Sequence, residues 1–423
     1  MAGSKSKIRQ ALSRAKNWVQ KGAQYPWALR NEVAQVTRVL RSSQWNMGYG
    51  VGQVHETLEK EFAEYTGCAE AVAVNTGGMA LQVAMRALGI TPADEVVHQI
   101  DTCLANAFAV LNAGGTPIFV DSNPETMGLS IPALEKAVGP HTKLIVPVHL
   151  WGNPDNISEI KRIAQTRNIP ILEDCCLALG ATDGAGHVGH QAAAAVFSFG
   201  CVKPIQAGEG GMIVAQDRAL AKEMRAIRNW GDRMREFGEG DVKTLAWNGR
   251  MSEIIAAVAL EQLRGYPTLL KEIRANTEQF VDYLKKIPWV TPVHSPGRSS
   301  YNQFILRFHS ERAPFSRDSF STTLRALGAG TEPANFEPMN RYSFFKKGSW
   351  KTWVPQNRHL TCTKNYNASF PNADRIFDHT HFGICRNNFL GKDAVKTLIQ
   401  RFEKAINEST LHREAPPLAV SRK

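Results

Sequence analysis

The segment AVFSFGCVKPIQAGEGGMIVAQD at residues 195–217 places one lysine, Lys203, between two apolar runs and follows it with a cluster of glycines. Short apolar runs bounded by glycine are typical of buried strands. Lysine is normally kept at the protein surface. Lys203 therefore either begins an exposed loop, or the chain requires an amine at the junction of two buried strands.

Upstream of this segment, short apolar runs alternate with helix-like stretches from about residue 70 to residue 217. EAVAVNTGGMALQVAMRALGI at residues 70–90 has the pattern of a strand, a tight turn and a helix, and further strands follow in TKLIVPVHLWG at residues 142–152 and IPILEDCC at residues 169–176. Such alternation predicts an α/β fold with a mostly parallel sheet and helices on both of its faces. In sheets of this kind ligands bind at the carboxyl ends of the strands. The polar residues expected at that edge are 75–78, 101–102, 149, 173–174 and 198–203.

Three of these positions have side chains or turns suited to chemistry. NTGGMAL at residues 75–81 turns a strand into a helix whose first N–H groups can bind an anion, although such a turn can also be a simple connection. Asp174 at a strand end can hold a protonated ring nitrogen, or it can be a helix cap or a surface carboxylate. A half-buried Lys203 can act as a nucleophile toward an aldehyde, or it can be a loop lysine. Together they match what pyridoxal phosphate (PLP) requires, namely a phosphate site, a carboxylate for the ring nitrogen and an amine for the aldehyde.

The order and spacing of these segments resemble the DegT/DnrJ/EryC1/StrS aminotransferases, the sugar-aminotransferase branch of the fold type I PLP enzymes. The most specific matches are ILEDCCLALGA at residues 171–181, FSFGCVKPIQAGEGGMIV at residues 197–214 and NGRMSEIIAAVALEQL at residues 248–263. The resemblance implies a large, mostly parallel sheet domain followed by a smaller C-terminal α/β domain. It also implies PLP as cofactor, an amino donor such as glutamate or glutamine, a keto substrate, and a homodimer with shared active sites.

The resemblance carries roles onto individual positions. Lys203 matches the lysine that forms the Schiff base with PLP, and Asp174 matches the partner of the pyridine nitrogen. Ser198 matches a phosphate ligand, and Asn248 matches an asparagine that reaches the phosphate in the neighbouring subunit. The remaining matches are the backbone cup of Gly77, Gly78 and Met79, and Arg250 beside Asn248.

Other positions near the cofactor depart from the family pattern. Leu177 stands where the family has a glutamine near the cofactor hydroxyl, Cys103 where it has an aromatic ring stacked on the cofactor, and Gly78 where it has a threonine that donates to the phosphate. The lysine and the aspartate are retained, so PLP chemistry is still implied. The departures suggest an unusual substrate, or a reaction other than plain sugar amination.

Further candidates are weaker. His149 ends a strand and can contact substrate, act in acid–base chemistry or only position its neighbours. Glu332 and Asn335 lie in TEPANFEPMNRY at residues 331–342, either in a substrate-facing loop or in a surface loop. His187 and His190 have no carboxylate or cysteine at ligand spacing, so we predict no metal site.

Composition limits the function classes. The 423 residues carry a net charge of +11, and residues 1–30 contain seven Lys or Arg and no acidic residue. That start can be a transit peptide, a nucleic-acid tail or a basic helix, and the helix is the favoured interpretation. No run of about 18 uncharged apolar residues is present, and no secretory signal is apparent. We therefore expect a cytoplasmic protein that uses neither a membrane nor nucleic acid, with its seven cysteines reduced.

These observations predict three units and one principal function. The units are a basic N-terminal helical segment at residues 1–45, a PLP-binding large domain at 46–287 and a small C-terminal domain at 288–423. The predicted function is transfer of an amino group from glutamate or glutamine to a keto sugar or related cyclic ketone, in antibiotic or surface-glycan biosynthesis. The alternatives are a PLP-dependent dehydratase, lyase or cyclisation enzyme, and a non-catalytic binding protein on the same fold.

Overall fold

A seven-stranded sheet forms the centre of the computed structural model, which describes residues 30–47, 53–231, 242, 244–333, 336–354 and 368–411. Its strands are β1 (Glu70–Val74), β2 (Glu95–Gln99), β3 (Thr116–Val120), β4 (Thr142–Val146), β5 (Leu172–Asp174), β6 (Ala194–Ser198) and β7 (Gly211–Ala215). The spatial order is β3-β2-β4-β5-β6-β7-β1, in which bridges at Ile145–Ile171 and Val148–Asp174 join β4 to β5. Only β7 runs against its neighbours in this sheet, so the mostly parallel α/β fold is confirmed.

Helices cover both faces of this sheet. They are α1 (Arg30–Ser42), α2 (Val54–Thr66), α3 (Gly77–Ala87), α4 (Leu104–Asn112), α5 (Ile131–Ala137), α6 (Ile157–Gln165), α7 (Arg218–Arg228) and α8 (Glu253–Leu284). Because successive strand residues point to opposite faces, Val196 packs in the core beneath α3 and α7, while Phe197 packs in the core beneath α2 and α8. Apolar side chains of α5 and α6 pack on this second face, against β2 and β4.

The antiparallel direction of β7 determines where Lys203 lies. A parallel strand would need a crossover helix, whereas an antiparallel strand can follow from a short connection at the same edge of the sheet. Residues 199–210 are that connection, and backbone hydrogen bonds from Phe199 to Gly210 (2.9 Å) and from Ala207 to Phe199 (2.9 Å) close it. Lys203 is therefore held at the edge where β1, β2, β4, β5 and β6 end.

A second sheet follows the long helix α8. Its strands are β8 (Val290–Pro292), β9 (Gln303–Phe308), β10 (Thr331–Pro333) and β11 (His381–Cys385), in the order β8-β9-β11-β10 and all antiparallel. The accompanying helices are α9 (Arg317–Ala326), α10 (Ser343–Lys346), α11 (Pro371–Arg375) and α12 (Ala394–Leu411). This arrangement agrees with a smaller C-terminal α/β part, while the domain boundaries themselves stay a prediction. No helix in the described part of the chain combines the length and apolar character that a bilayer span requires.

Candidate active site

Lys203 lies half-buried in the connection between β6 and β7, and its backbone is held on two sides. Its N–H donates to the carbonyl of Gly200 at 3.2 Å, and its own carbonyl accepts from the guanidinium of Arg386. Arg386 directly follows β11 of the second sheet, and it also donates to Oδ1 of Asn302 at 3.1 Å. The second sheet therefore fixes the loop that carries the lysine.

The predicted glycine turn is the first turn of α3. Thr76 caps this helix, and its Oγ1 accepts from the N–H of Met79 at 3.0 Å. Gly77, Gly78 and Met79 form the first three helical positions, where N–H groups have no partner within the helix. Ser198 lies against this turn, since a Cβ added to Gly77 would stand 2.7 Å from the Cβ of Ser198. The predicted cup and the predicted phosphate ligand are therefore adjacent.

Gly77→Ala is expected to destabilise the protein, because its methyl group would stand 2.7 Å from Ser198 Cβ and 3.3 Å from Cys176 Sγ. Overpacking of this kind costs about 1–3 kcal/mol, and thermal unfolding followed by circular dichroism would measure it. Gly78→Ala is the matched control, since its nearest neighbour would be Thr76 Oγ1 at 3.8 Å. Equal melting temperatures for the two variants would contradict the close approach of Ser198 to the turn.

Asp174 ends β5 on the face of the sheet that α3 and α4 cover, and it is 4 % exposed. Its Oδ1 accepts from the backbone N–H of Cys176 at 3.0 Å, and its Oδ2 accepts from Nδ2 of Asn106 at 2.8 Å. Its backbone is paired with residues 147 and 149 of the neighbouring segment. Asp174 is therefore a fixed hydrogen-bond acceptor at the edge where Lys203 and Ser198 lie.

Two positions that depart from the family pattern have apolar or thiol side chains here. Leu177 is buried in a cluster with Val148 and Leu150, and Trp151 and Phe336 pack against that cluster. The rings of Trp151 and Phe336 stack at 5.4 Å between centroids. Cys103 is half-buried and caps α4. Leu177 thus belongs to an apolar cluster, whereas the glutamine of the family would offer a polar group at this position.

His149 lies just after β4, and buried hydrogen bonds hold its ring. Its ring is completely buried; Nε2 is 2.9 Å from Oε2 of Glu173, and Nδ1 accepts from the N–H of Asp155 at 2.9 Å. Since Nδ1 is an acceptor, the tautomer assigned to this ring carries its proton on Nε2 and donates it to Glu173. Burial alone would lower the pKa of His149, but the hydrogen bond to Glu173 together with the negative charges of Glu173, Asp155 and Asp174 outweighs burial, so the pKa is raised. This ring contacts Glu173 and its partners on the side of the sheet opposite to Asp174, and its contact with substrate stays a prediction.

A metal ion is not favoured at the buried group of His149, Glu173 and Cys175. Donor atoms of His149, Glu173 and Cys175 lie within 4.8 Å of one another. Both ring nitrogens of His149 are hydrogen-bonded, however, and burial raises the pKa of the Cys175 thiol well above its usual range. A metal at this place would have to displace the hydrogen bonds of the buried ring, which costs free energy. These groups are suited to hydrogen bonding within the fold.

The remaining predicted residues lie in three places. Asn248 is exposed, and its carbonyl accepts from Nδ2 of Asn75 at 3.4 Å, so it lies beside the start of α3. Arg250 is half-buried and donates to Oδ1 of Asn229 at 2.5 Å. The backbone of Glu332 is part of β10, opposite Gly383 of β11, and Asn335 lies outside the described residues.

Sequence reasoning missed two residues that contact the predicted site. Arg386 contacts the Lys203 loop, and burial lowers its pKa to about 9. Asn106 contacts Asp174 from the first turn of α4. An arginine directly after the strand-like HFGIC was a usable signal for the first, and a polar residue on the apolar helix LANAFAVLN for the second.

Comparison with known proteins agrees with this geometry. The model of the DegT/DnrJ/EryC1/StrS aminotransferase family matches residues 28–364. The spore coat polysaccharide biosynthesis protein SpsC of Bacillus subtilis (strain 168) is 31 % identical over 329 residues, which are 75 % of this chain and 83 % of that protein. GDP-perosamine synthase of Caulobacter vibrioides is 36 % identical over 298 residues, which are 69 % and 78 % of the two chains.

A solved structure shows the same similarity in three dimensions. The X-ray structure of the aminotransferase from Psychrobacter cryohalolentis superposes with a TM-score of 0.79 at 26 % identity, covering 91 % of this chain and 98 % of that chain. The α/β architecture is therefore that of the fold type I aminotransferases. Because the family model matches most of the chain, the chain belongs to the DegT/DnrJ/EryC1/StrS aminotransferase family of PLP-dependent enzymes.

Proposed function

We propose that this enzyme transfers an amino group from glutamate or glutamine to a keto sugar or related cyclic ketone in the biosynthesis of a glycan or an antibiotic. The observation that carries the proposal is the meeting of Lys203, Asp174 and Ser198 at one edge of the sheet. A Cβ added to Gly200 would stand 3.7 Å from Ser198 Oγ and 3.9 Å from Lys203 Cγ, so the serine and the lysine are close neighbours. The two similar proteins named for polysaccharide biosynthesis and for GDP-perosamine synthesis support a sugar substrate.

The residues at this edge fit PLP. The first turn of α3 and Ser198 offer donors for a phosphate, and Asp174 keeps acceptor capacity beyond its two hydrogen bonds. Within the described residues, the buried Oγ1 of Thr102 has no hydrogen-bond partner, and it follows β2 at the same edge. A buried hydroxyl without a hydrogen-bond partner in the described structure indicates that a polar ligand binds nearby.

Each residue then has a role in the reaction. When bound, PLP supplies an electron sink that stabilises negative charge on the carbon losing its proton. In the donor half of the reaction, Lys203 Nζ takes the proton from the Cα atom of the donor. In the acceptor half, it returns a proton to the carbon that receives the amino group. Asp174 keeps a proton on the ring nitrogen, while Ser198 and the first turn of α3 bind the phosphate. Arg386 holds the Lys203 loop, and Asn302 accepts a hydrogen bond from Arg386.

We further propose a cytoplasmic homodimer in which the subunits share their sites. Asn248 is exposed beside the start of α3, an arrangement that leaves its amide available to a second subunit. A monomer at micromolar concentration in analytical ultracentrifugation would exclude this part of the proposal.

The proposed function is tested by the absorption spectrum of the purified protein, before and after addition of glutamate or glutamine. A PLP enzyme that completes the donor half of the reaction should lose its visible band and release the corresponding keto acid, which a coupled dehydrogenase assay measures. A visible band that neither donor changes would favour the dehydratase, lyase or cyclisation alternative. The observation that supports this alternative is Leu177, which packs in an apolar cluster at the position where the family has glutamine.

Gly78→Thr is expected to tighten PLP binding, because it restores the hydroxyl that the family places at the phosphate. A Cβ at this position has only Thr76 Oγ1 nearby, at 3.8 Å, so the side chain has room. One added hydrogen bond is worth about 1 kcal/mol, or about fivefold in the dissociation constant, measurable by fluorescence titration. Gly78→Val has nearly the same shape without the hydroxyl. Equal affinities for the Thr and Val variants would show that the hydroxyl does not reach the phosphate.

A further inference from the structure

Asn106 is a buried polar residue whose position in α4 needs an explanation. It lies in the first turn of the helix and is completely buried, and its neighbours Ala107, Ala109 and Val110 are buried apolar residues of the same helix. A buried amide is costly unless it is hydrogen-bonded. Its Nδ2 donates to Oδ2 of Asp174 at 2.8 Å. The amide is thus directed at the carboxylate proposed to hold the ring nitrogen of PLP.

The chemistry of this contact makes Asp174 the acceptor and Asn106 the donor. An amide N–H can only donate, so it bonds to a carboxylate oxygen that acts as an acceptor. Asn106 Oδ1 has no hydrogen-bond partner among the described residues, so no competing contact orients the amide differently. With the backbone N–H of Cys176 on Oδ1, each carboxylate oxygen receives one donor and keeps further acceptor capacity.

His98 and Cys176, two side chains near Asp174, do not supply it with a positive charge. His98 lies in the same buried region, and burial lowers its pKa to about 4, so the ring is neutral near pH 7. Burial and the nearby Asp174 carboxylate raise the pKa of the Cys176 thiol well above its usual range. A cationic ligand can therefore pair with Asp174 on this face, while Asn106 orients its carboxyl group.

We propose that Asn106 is a positioning residue that aims the Asp174 carboxylate at the pyridine nitrogen of PLP and holds it as an acceptor. This inference rests on the proposed function. It predicts that the amide matters only to a ligand that has a ring nitrogen to bind. A role confined to packing would affect every ligand of the same shape equally.

The test compares two ligands in the full-length protein: PLP, and its analogue in which C–H replaces the ring nitrogen. Asn106→Leu, which has similar size and no donor, should weaken PLP about tenfold by fluorescence titration. The dissociation constant of the analogue should change less than about twofold, because the analogue has no ring nitrogen for the Asp174 carboxylate to bind. In the Asp174→Asn background, Asn106→Leu should have little further effect on PLP, because the carboxylate it orients is already gone.

Controls separate this role from stability and from the proposed function. Val110→Ala removes buried volume from the same helix and should leave the ratio of the two dissociation constants unchanged. Asn106→Ala gives a second variant without added bulk. Equal weakening of both ligands, or loss of fold in both Asn106 variants, would overturn the inference and leave the proposed function intact. Failure of the unmodified protein to bind PLP would overturn the proposed function itself.

Discussion

Replacement of Lys203 by alanine is expected to lower the rate of amino transfer at least about 1,000-fold, because it removes the amine proposed as nucleophile and proton carrier. The lysine stands next to Ser198 in a connection that the second sheet holds through Arg386. The measurement is keto-acid release from glutamate or glutamine under single-turnover conditions, with the absorption spectrum of the bound cofactor recorded in parallel.

Two variants make the Lys203 result specific. Lys203→Arg keeps the positive charge but should be equally inactive, since a guanidinium stays protonated and cannot accept a proton from carbon. Lys271→Ala removes an exposed lysine of α8 and should leave the rate unchanged. Retention of more than a tenth of the rate in Lys203→Ala would exclude Lys203 as the reacting amine.

The central sheet and its edge could be predicted from the sequence because their signals are local. Apolar runs of about five residues separated by helix-like stretches predict parallel strands, and parallel strands end at one edge. Gly77, Asp174 and Ser198 follow or end three such strands, and the structure brings them together at that edge. Lys203 belongs to the same group because it follows β6 directly.

Residues that contact the site from distant parts of the chain could not be predicted in this way. Arg386 is 183 positions from Lys203, and Asn106 is 68 positions from Asp174. A local pattern can mark each of these residues as unusual, but it does not say which distant residue each one contacts. The partner of His149 was also not predicted, because its ring bonds to Glu173 inside the fold. Strand alternation, which places Glu173 and Asp174 on opposite faces, was the available signal.

Asp174→Asn is expected to lower kcat about 100-fold or more, because an amide can no longer hold a proton on the ring nitrogen by its negative charge. The fold should tolerate the change, since Asn has nearly the same shape and its oxygen can still accept one of the two hydrogen bonds. Steady-state kinetics with saturating cofactor would measure the loss, and circular dichroism would confirm that the melting temperature falls by only a few degrees.

Glu173 provides the matched comparison, because it is the adjacent carboxylate on the opposite face of β5. Glu173→Ala leaves the buried N–H groups of His149 and Gly189 without their acceptor and should cost about 3 kcal/mol of stability. At a temperature where this variant is folded, its kcat should fall far less than that of Asp174→Asn. Glu173 would then act in stability and Asp174 in chemistry, in agreement with the opposite faces of β5 that they occupy. An equal loss of kcat in both variants would contradict the assignment of Asp174 to the ring nitrogen.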